Sequence, residues 1–399
     1  MNSKERVRCA MQRDPNQLPD RVPVMCQLAL GHYFINMRKK WQPHEIWFTS
    51  EAFADSLITM CQRYRFDGIL INLPGRDPAW MNQIEAITDT NEGQHITLMD
   101  GTPIFVPWDD NALYAPSDPG WHPYPDYMTF DPDRDMARLD EWPRYTWGVY
   151  HVPTLIGKTP GLLLEPPDYF FNTLDHVLTA VGDRVSVHGE VFSPFTHFME
   201  LFGYENALLG MALDPGKAEA ILDQFSQTVI AWGSAQASRG VEAVLISSAF
   251  AGGGFISPKM YEQFVMPYER KVIDALHAAH PDTPVYTHTC GKLGDRLNLM
   301  IDSHTDGVDT LDPPPLGNTT LADAKVLIGD RLFIKGNMNS VAILADTELQ
   351  FIERATMTLQ TGKPGNGYIL STACSVAPHV EPSKLELLID IVEEHGHYG

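Results

Sequence analysis

Apolar positions along this chain follow two rhythms. Short β-branched and aliphatic runs alternate with longer stretches in which apolar residues recur every three or four positions. The first pattern predicts strands and the second amphipathic helices. The strand-like runs cover residues 22–28, 67–72, 185–191, 241–247, 284–290, 306–311, 332–337 and 367–374. Strand and helix in regular alternation imply βαβ units on a parallel sheet. Eight such units predict an α/β fold, the (β/α)8 or TIM barrel.

The helices between the runs can be read in detail. Tyr261, Phe264, Val265, Tyr268, Val272, Ile273 and Leu276 keep helical spacing and predict one buried face. Asp346 and Thr347 predict the start of a helix with Phe351, Ile352 and Leu359 in its core, and Gly362 its end. Leu385, Leu388, Ile391 and Val392 stripe the last helix. Each such stripe has to cover a strand face, so the helices belong outside the sheet.

Residues 73–184 interrupt this rhythm, and a structureless loop of that length is not expected in a compact domain. The segment has its own signals. Residues 96–99 and 103–106 flank Asp100-Gly101 and predict a hairpin. Trp80, Trp108, Trp121, Trp142 and Trp147 also fall here, five of the eight tryptophans. The expectation is one barrel domain over 1–399, with 73–184 inserted as a cap at the mouth or as a packing extension on the side.

Composition narrows the function. With 44% hydrophobic residues the chain can bury a large core. Lys and Arg number 29 against 51 Asp and Glu, for a net charge of −22. Such a surface repels nucleic acid and anionic lipid. No apolar run reaches membrane-helix length, and the polar start has no secretory pattern. Five scattered cysteines are too few for a disulfide framework and suit a reducing, cytoplasmic setting, where they bind metal or fill core.

The chemistry concentrates at the C-terminal ends of the runs, where barrel enzymes carry their active sites. His288 and Cys290 in His288-Thr289-Cys290-Gly291 lie two apart, on one strand face. Cys374 ends the eighth run. One imidazole and two thiolates form a zinc ligand set with a fourth position left for a reactant. Two thiolates neutralise the ion, which suits polarising a heteroatom or holding a thiolate more than making hydroxide. A buried cysteine is also common core filler. Glu190, in His188-Gly189-Glu190, is the favoured acid to protonate a leaving oxygen. His188, Ser247, Asp312, Asn337 and Asn72 are candidate substrate contacts, although strand-end polar groups often only satisfy loop backbone. Dinucleotide, Walker and His-Glu-x-x-His motifs are absent, and 251–254 reads as a flexible glycine loop rather than a phosphate cradle.

Several of these motifs together resemble the uroporphyrinogen decarboxylase-like barrels, including their zinc-dependent corrinoid methyltransferases. They are Asp20-Arg21-Val22-Pro23-Val24, Ile256-Ser257-Pro258, Met266-Pro267-Tyr268, His288-Thr289-Cys290-Gly291, Gly336-Asn337-Met338-Asn339 and Ser371-Thr372-Ala373-Cys374. Decarboxylases of this kind carry arginines after the first strand and an aspartate at the end of the second. Here the first stretch is Met25-Cys26-Gln27-Leu28-Ala29-Leu30-Gly31-His32-Tyr33, and Asn72 ends the second. The resemblance therefore implies the methyltransferase branch, with zinc on His288, Cys290 and Cys374. It implies methyl transfer from a small methylated donor to the Co(I) corrinoid of a separate corrinoid protein. This chain has no Asp-x-His-x-x-Gly corrinoid signature of its own. The tryptophans of 73–184 favour an aromatic methyl ether as donor, because flat side chains can stack on a ring. Methylation of coenzyme M from a methyl-corrinoid protein and a non-catalytic ligand-binding barrel are the alternatives, and a homodimer stays open.

Overall fold

A computed structural model describes residues 1–14, 16–115, 124–150 and 166–398. Eleven strands are present among them: β1 Gly68–Ile71, β2 Ile84–Asp89, β3 Gly93–Leu98, β4 Pro103–Pro107, β5 Leu113–Tyr114, β6 Ser186–Phe192, β7 Ala243–Ser247, β8 Val285–Thr289, β9 Gly307–Thr310, β10 Phe333–Met338 and β11 Tyr368–Thr372. Seven of them form one parallel sheet in the order β1-β6-β7-β8-β9-β10-β11. Apart from the jump over the insertion, each strand pairs with the next in sequence, as right-handed βαβ connections require.

The run at 22–28 departs from expectation. It forms single bridges, Val24 to Leu370 and Leu28 to Val376, rather than a regular ladder. On its other side Val24 O accepts from Asp67 N at 2.7 Å. It is the eighth stave all the same, and it closes the (β/α)8 barrel between β11 and β1.

The barrel is a packed core. Leu70, Ala243, Leu245, Tyr286, Phe333 and Ile369 fill its interior with Val7, Ala10 and Met11 of helix Ser3–Gln12. That helix touches β1, β6, β10 and β11 and plugs the N-terminal end. Asp67, fully buried beside it, accepts from Arg6 at 2.6 Å, Arg21 at 2.8 Å, Ser3 at 2.8 Å and Val24 N at 2.8 Å.

The outer helices match their stripes, with one difference. The predicted face from Tyr261 to Leu276 is split into helices Pro258–Phe264 and Met266–Ala279. Val265 leaves helical geometry at φ −117° and ψ −63°. Pro267 lacks an amide proton and opens the second helix, a position it favours. Thr347 caps Glu348–Gly362 through Gln350 N as its sequence suggests, and Pro382–His395 buries the last stripe.

Within 73–184, β3 and β4 form the expected hairpin, with Gly101 at φ +84° in its turn. β2 and β5 extend it to an antiparallel four-stranded sheet. The loop between β4 and β5 lies against the barrel. A Cβ on Gly31 would sit 1.8 Å from Asp109 O, so only glycine permits this approach. His379 bonds Asp109 at 2.7 Å, and the Arg38 guanidinium lies 4.0 Å from the Trp108 ring centroid.

The described tryptophans of the segment are engaged by neighbours. Trp80 stacks on Phe48, Trp147 on Tyr114, and Trp142 packs on Phe130. Trp108 lies under Arg38 and Trp147 also meets Trp47, so these rings pack partly within the segment and partly against residues 38–48. Trp121 lies outside the described residues. No helix among these is long and apolar enough to cross a membrane.

Candidate metal centre

Strand register builds the site. Ser247 pairs with His288, His288 with Asp309, and Asp309 with Lys335, so β7 to β10 carry one row of inward side chains. Cys290 follows β8 on the same face, and Cys374 follows β11. The His288, Cys290 and Cys374 donor atoms all lie within 4.8 Å of one another. Cys290 Sγ is 3.3 Å from His288 Nε2. Neighbouring donors on a tetrahedral zinc lie roughly 3.4–3.8 Å apart, so little movement would be needed to seat one. Histidine is buried, Cys290 intermediate and Cys374 exposed, which leaves an open side for a reactant.

The far side of the imidazole is held. His288 Nδ1 lies 2.5 Å from Thr310 Oγ1 and 3.5 Å from Asp309 Oδ2. Lys335 Nζ in turn donates to Asp309 at 2.9 Å, with both groups buried. Burial alone would raise the Asp309 pKa, but the charges and hydrogen bonds of Lys335 and His288 together outweigh it and hold it at about 2. Burial would lower the His288 pKa, yet Asp309 raises it. A carboxylate behind the ring fixes the proton on Nδ1 and leaves Nε2 as the donor facing the sulfurs. Thr310 at φ +82° and Leu311 at φ +50° hold left-handed backbone that a threonine or leucine rarely adopts. Such strain gathers at functional sites. Between the sulfurs, Cys290 donates to Cys374, which raises the Cys290 pKa and lowers that of Cys374.

Other sequence candidates separate here. Glu190 Oε2 is buried and has no hydrogen-bond partner. Burial pushes its pKa up to about 7, against the pull of His288 and a hydrogen bond from Ser247. Asp312 accepts from Gly291 N at 2.7 Å and so fixes the turn after Cys290. Asn337 donates to Leu311 O at 2.9 Å and braces the strained turn. Ser247 is buried beside His288. Asn72 is half-buried at the end of β1.

His188 is a correction. Its nitrogens are taken by Ser186 Oγ at 3.0 Å and Tyr286 Oη at 2.8 Å, inside the barrel filling, and burial lowers its pKa to about 3. It joins two strands and offers no nitrogen to a substrate. The glycine loop is also not loose. Gly253 N donates to Lys292 O at 2.9 Å, and the buried Arg296 donates to Ala251 O at 2.6 Å and Ile256 O at 3.1 Å. A Cβ on Gly252 would meet Cys290 O at 2.0 Å, so the glycine lets this loop pack on the ligand turn. Thr310 and Lys335 were not singled out from the sequence. A lone threonine or lysine carries no signal there until the register sets it beside His288 or Asp309.

Replacing Asp309 with asparagine leaves Lys335 buried without its counter-charge and removes the carboxylate behind His288. The affinity for added zinc, measured by chelator competition, is expected to fall about 10–100-fold if these donors hold the ion. Unchanged affinity would show that Thr310 alone orients the ring.

A (β/α)8 barrel with an imidazole and two sulfurs converging at its C-terminal mouth defines a barrel enzyme built around a metal-ligand donor set. Residues 160–395, more than half of the sequence, match the uroporphyrinogen decarboxylase (URO-D) family, and the chain belongs to it. Uroporphyrinogen decarboxylase of Chlorobium phaeovibrioides is 26% identical over 63% of this chain and 73% of that enzyme. The Chlorobaculum tepidum enzyme is 27% identical over the same shares. Among solved structures, a methyltransferase from Methanosarcina mazei superposes with a TM-score of 0.68 at 16% identity, covering 99% of both chains. A B12-independent methionine synthase from Shewanella reaches 0.50 at 12% identity, over 94% of this chain and 97% of that one. These two likenesses show a shared fold.

Proposed function

We propose that this protein is a zinc-dependent methyltransferase that moves a methyl group from a small methylated donor to the Co(I) corrinoid of a separate corrinoid protein. An aromatic methyl ether is the donor class we favour. The convergence of His288, Cys290 and Cys374 on the open side of the barrel mouth carries this reading. Zinc held by these three residues would supply Lewis acidity at the donor's oxygen.

The chain's own groups do the rest. Asp309 and Lys335 keep the His288 ring in one orientation and tautomer. The strained turn at Thr310 and Leu311, braced by Asn337, fixes Thr310 Oγ1 against Nδ1. Glu190 holds a proton near neutral pH. In the proposed step the carbon–oxygen bond breaks, the methyl goes to cobalt, and Glu190 delivers its proton to the oxygen. The barrel mouth orients the donor so that the methyl faces the docking partner, and orientation supplies much of the rate.

The defining assay measures demethylation of ortho-methoxyphenol by the zinc-loaded protein with a corrinoid protein in the Co(I) state. Methyl transfer supports the reading. Failure with every methylated donor, together with release of carboxyl groups from uroporphyrinogen, would overturn it in favour of the decarboxylase activity of the sequence relatives. Two thiolates also suit binding a thiol substrate, so methylation of coenzyme M from methylcobalamin is the second reading. The same preparation tests it.

Glu190 gives this assay a pH signature. Its acid form is present below about pH 7 and is lost as pH rises through that value. The charged or hydrogen-bonding groups that face it are His288, Ser247, Asp309 and Lys335. The rate should therefore decline on the alkaline side of neutrality. Glu190→Gln should slow transfer by about 100-fold or more and flatten that limb. A limb that persists in Glu190→Gln would assign the proton to another group.

A further inference from the structure

A cavity of about 200 Å³ is lined by residues that leave the strand C-termini, among them Ser375, the neighbour of Cys374. Its wall combines five parts of the chain: residues 28–31, Trp47 from helix Pro43–Phe48, Asn72 with Leu73 after β1, Asp110 and Asn111 from the β4–β5 loop, and Ser375 after β11. An apolar hole of about 150 Å³ holds one benzene ring. The cavity therefore has the size for one ring with small substituents, and it falls short of the roughly 300 Å³ or more typical of drug-sized ligands.

Its polar groups are uncommitted. The side chains of Asn72, Asn111 and Ser375 make no hydrogen bond to the described residues. Asp110 uses Oδ1 to accept from Asn111 N at 2.7 Å and leaves Oδ2 free. Two amides, a hydroxyl and a carboxylate can donate to and accept from a hydroxyl-bearing ligand. Asp110 on a chain of net charge −22 repels a carboxylated one. The loop that carries Asp110 and Asn111 is anchored one residue earlier by the contacts of Asp109 with Gly31 and His379.

We propose that this cavity is the donor-recognition pocket, that it takes a compact neutral molecule of about one ring bearing hydroxyl groups, and that Asp110 selects against carboxylated analogues. The assignment rests on the methyl-transfer reading for its role and on the cavity alone for its ligand class. It places specificity on the inserted segment and the chemistry on the barrel.

The test separates binding from transfer. Calorimetric titration of the zinc-loaded protein with ortho-methoxyphenol, phenol and catechol is expected to show saturable binding of ortho-methoxyphenol, at least tenfold tighter than binding of para-methoxybenzoate. Asp110→Asn should shrink that ratio at least fivefold. Asn72→Leu should weaken ortho-methoxyphenol binding about five- to tenfold, with thermal melts verifying that both variants fold. No saturable binding by any neutral member, equal binding of the benzoate, or wild-type preferences in both variants would each overturn the pocket. If the expected preferences appear but no methyl leaves ortho-methoxyphenol, the pocket stands and the methyl-transfer reading falls. If transfer proceeds and both variants keep wild-type donor affinity, the transfer reading stands and the pocket falls.

Discussion

Cys290→Ala and Cys374→Ala are each expected to purify with well under one zinc per chain and to lose methyl transfer. A groups-behind-the-ligand change costs about 10–100-fold in metal affinity, and loss of a ligand itself should cost more. Only two protein donors would remain of the three that lie within 4.8 Å. Elemental analysis of the purified variants measures the first effect and the corrinoid assay the second. The two sulfurs come from opposite ends of the sheet's closing half, yet both variants should fail alike, because each would supply one corner of the proposed zinc polyhedron. Cys26 and Cys61 provide the control. Both are buried in the core and neither joins the donor cluster, and their alanine variants should retain zinc. A Cys290→Ala protein that kept full zinc and full turnover would remove the metal centre from the account.

The second large effect concerns closure of the barrel. Asp67→Ala is expected to destabilise the fold by about 3–5 kcal/mol, the usual cost of breaking a buried ion pair by removing one partner. Asp67 is fully buried and receives bonds from Arg6, Arg21, Ser3 and Val24 N. Arg6 keeps Asp20 at 2.6 Å and Arg21 keeps Glu393 at 2.7 Å, which limits the loss. Nothing replaces the bond to Val24 N, and that bond ties the eighth stave to β1 where the ladder is weakest. Denaturant titration measures the change. A loss below about 1 kcal/mol would mean that the plugging helix, rather than this carboxylate, secures the seam.

The two effects act at opposite ends of the barrel, and this division follows from the architecture. Helix Ser3–Gln12 and the Asp67 cluster seal the N-terminal end, where burial stabilises and no chemistry is exposed. The strand C-termini carry the sulfurs, the strained turn at Thr310 and Leu311, and the cavity under Asp110. Stability and specificity can therefore be altered separately.

Local pattern was sufficient for much of this protein. Strand runs, helix stripes, the Thr347 cap and the hairpin around Gly101 are set by residues within a few positions of one another, so periodicity and turn chemistry exposed them. The positions of His288, Cys290 and Cys374 at strand ends were legible for the same reason. The break at Val265 and the single bridges of residues 22–28 were not, because each depends on what packs against it. Nor was the role of His188. Its phase on β6 matches that of Glu190, and only the Tyr286 hydroxyl on β8 decides that one is tied and the other is not. The tryptophans of 73–184 promised stacking surfaces for a ligand. The structure commits the described ones to neighbours and gives the cavity wall to Trp47, whose sequence context is an ordinary helix. Sequence determines which groups are available and which way each points from its own strand. Closure of the barrel, which sets neighbouring strands in register and brings β8 and β11 to one mouth, decides which of those groups meet, because side-chain contacts across a sheet depend on register and not on distance along the chain.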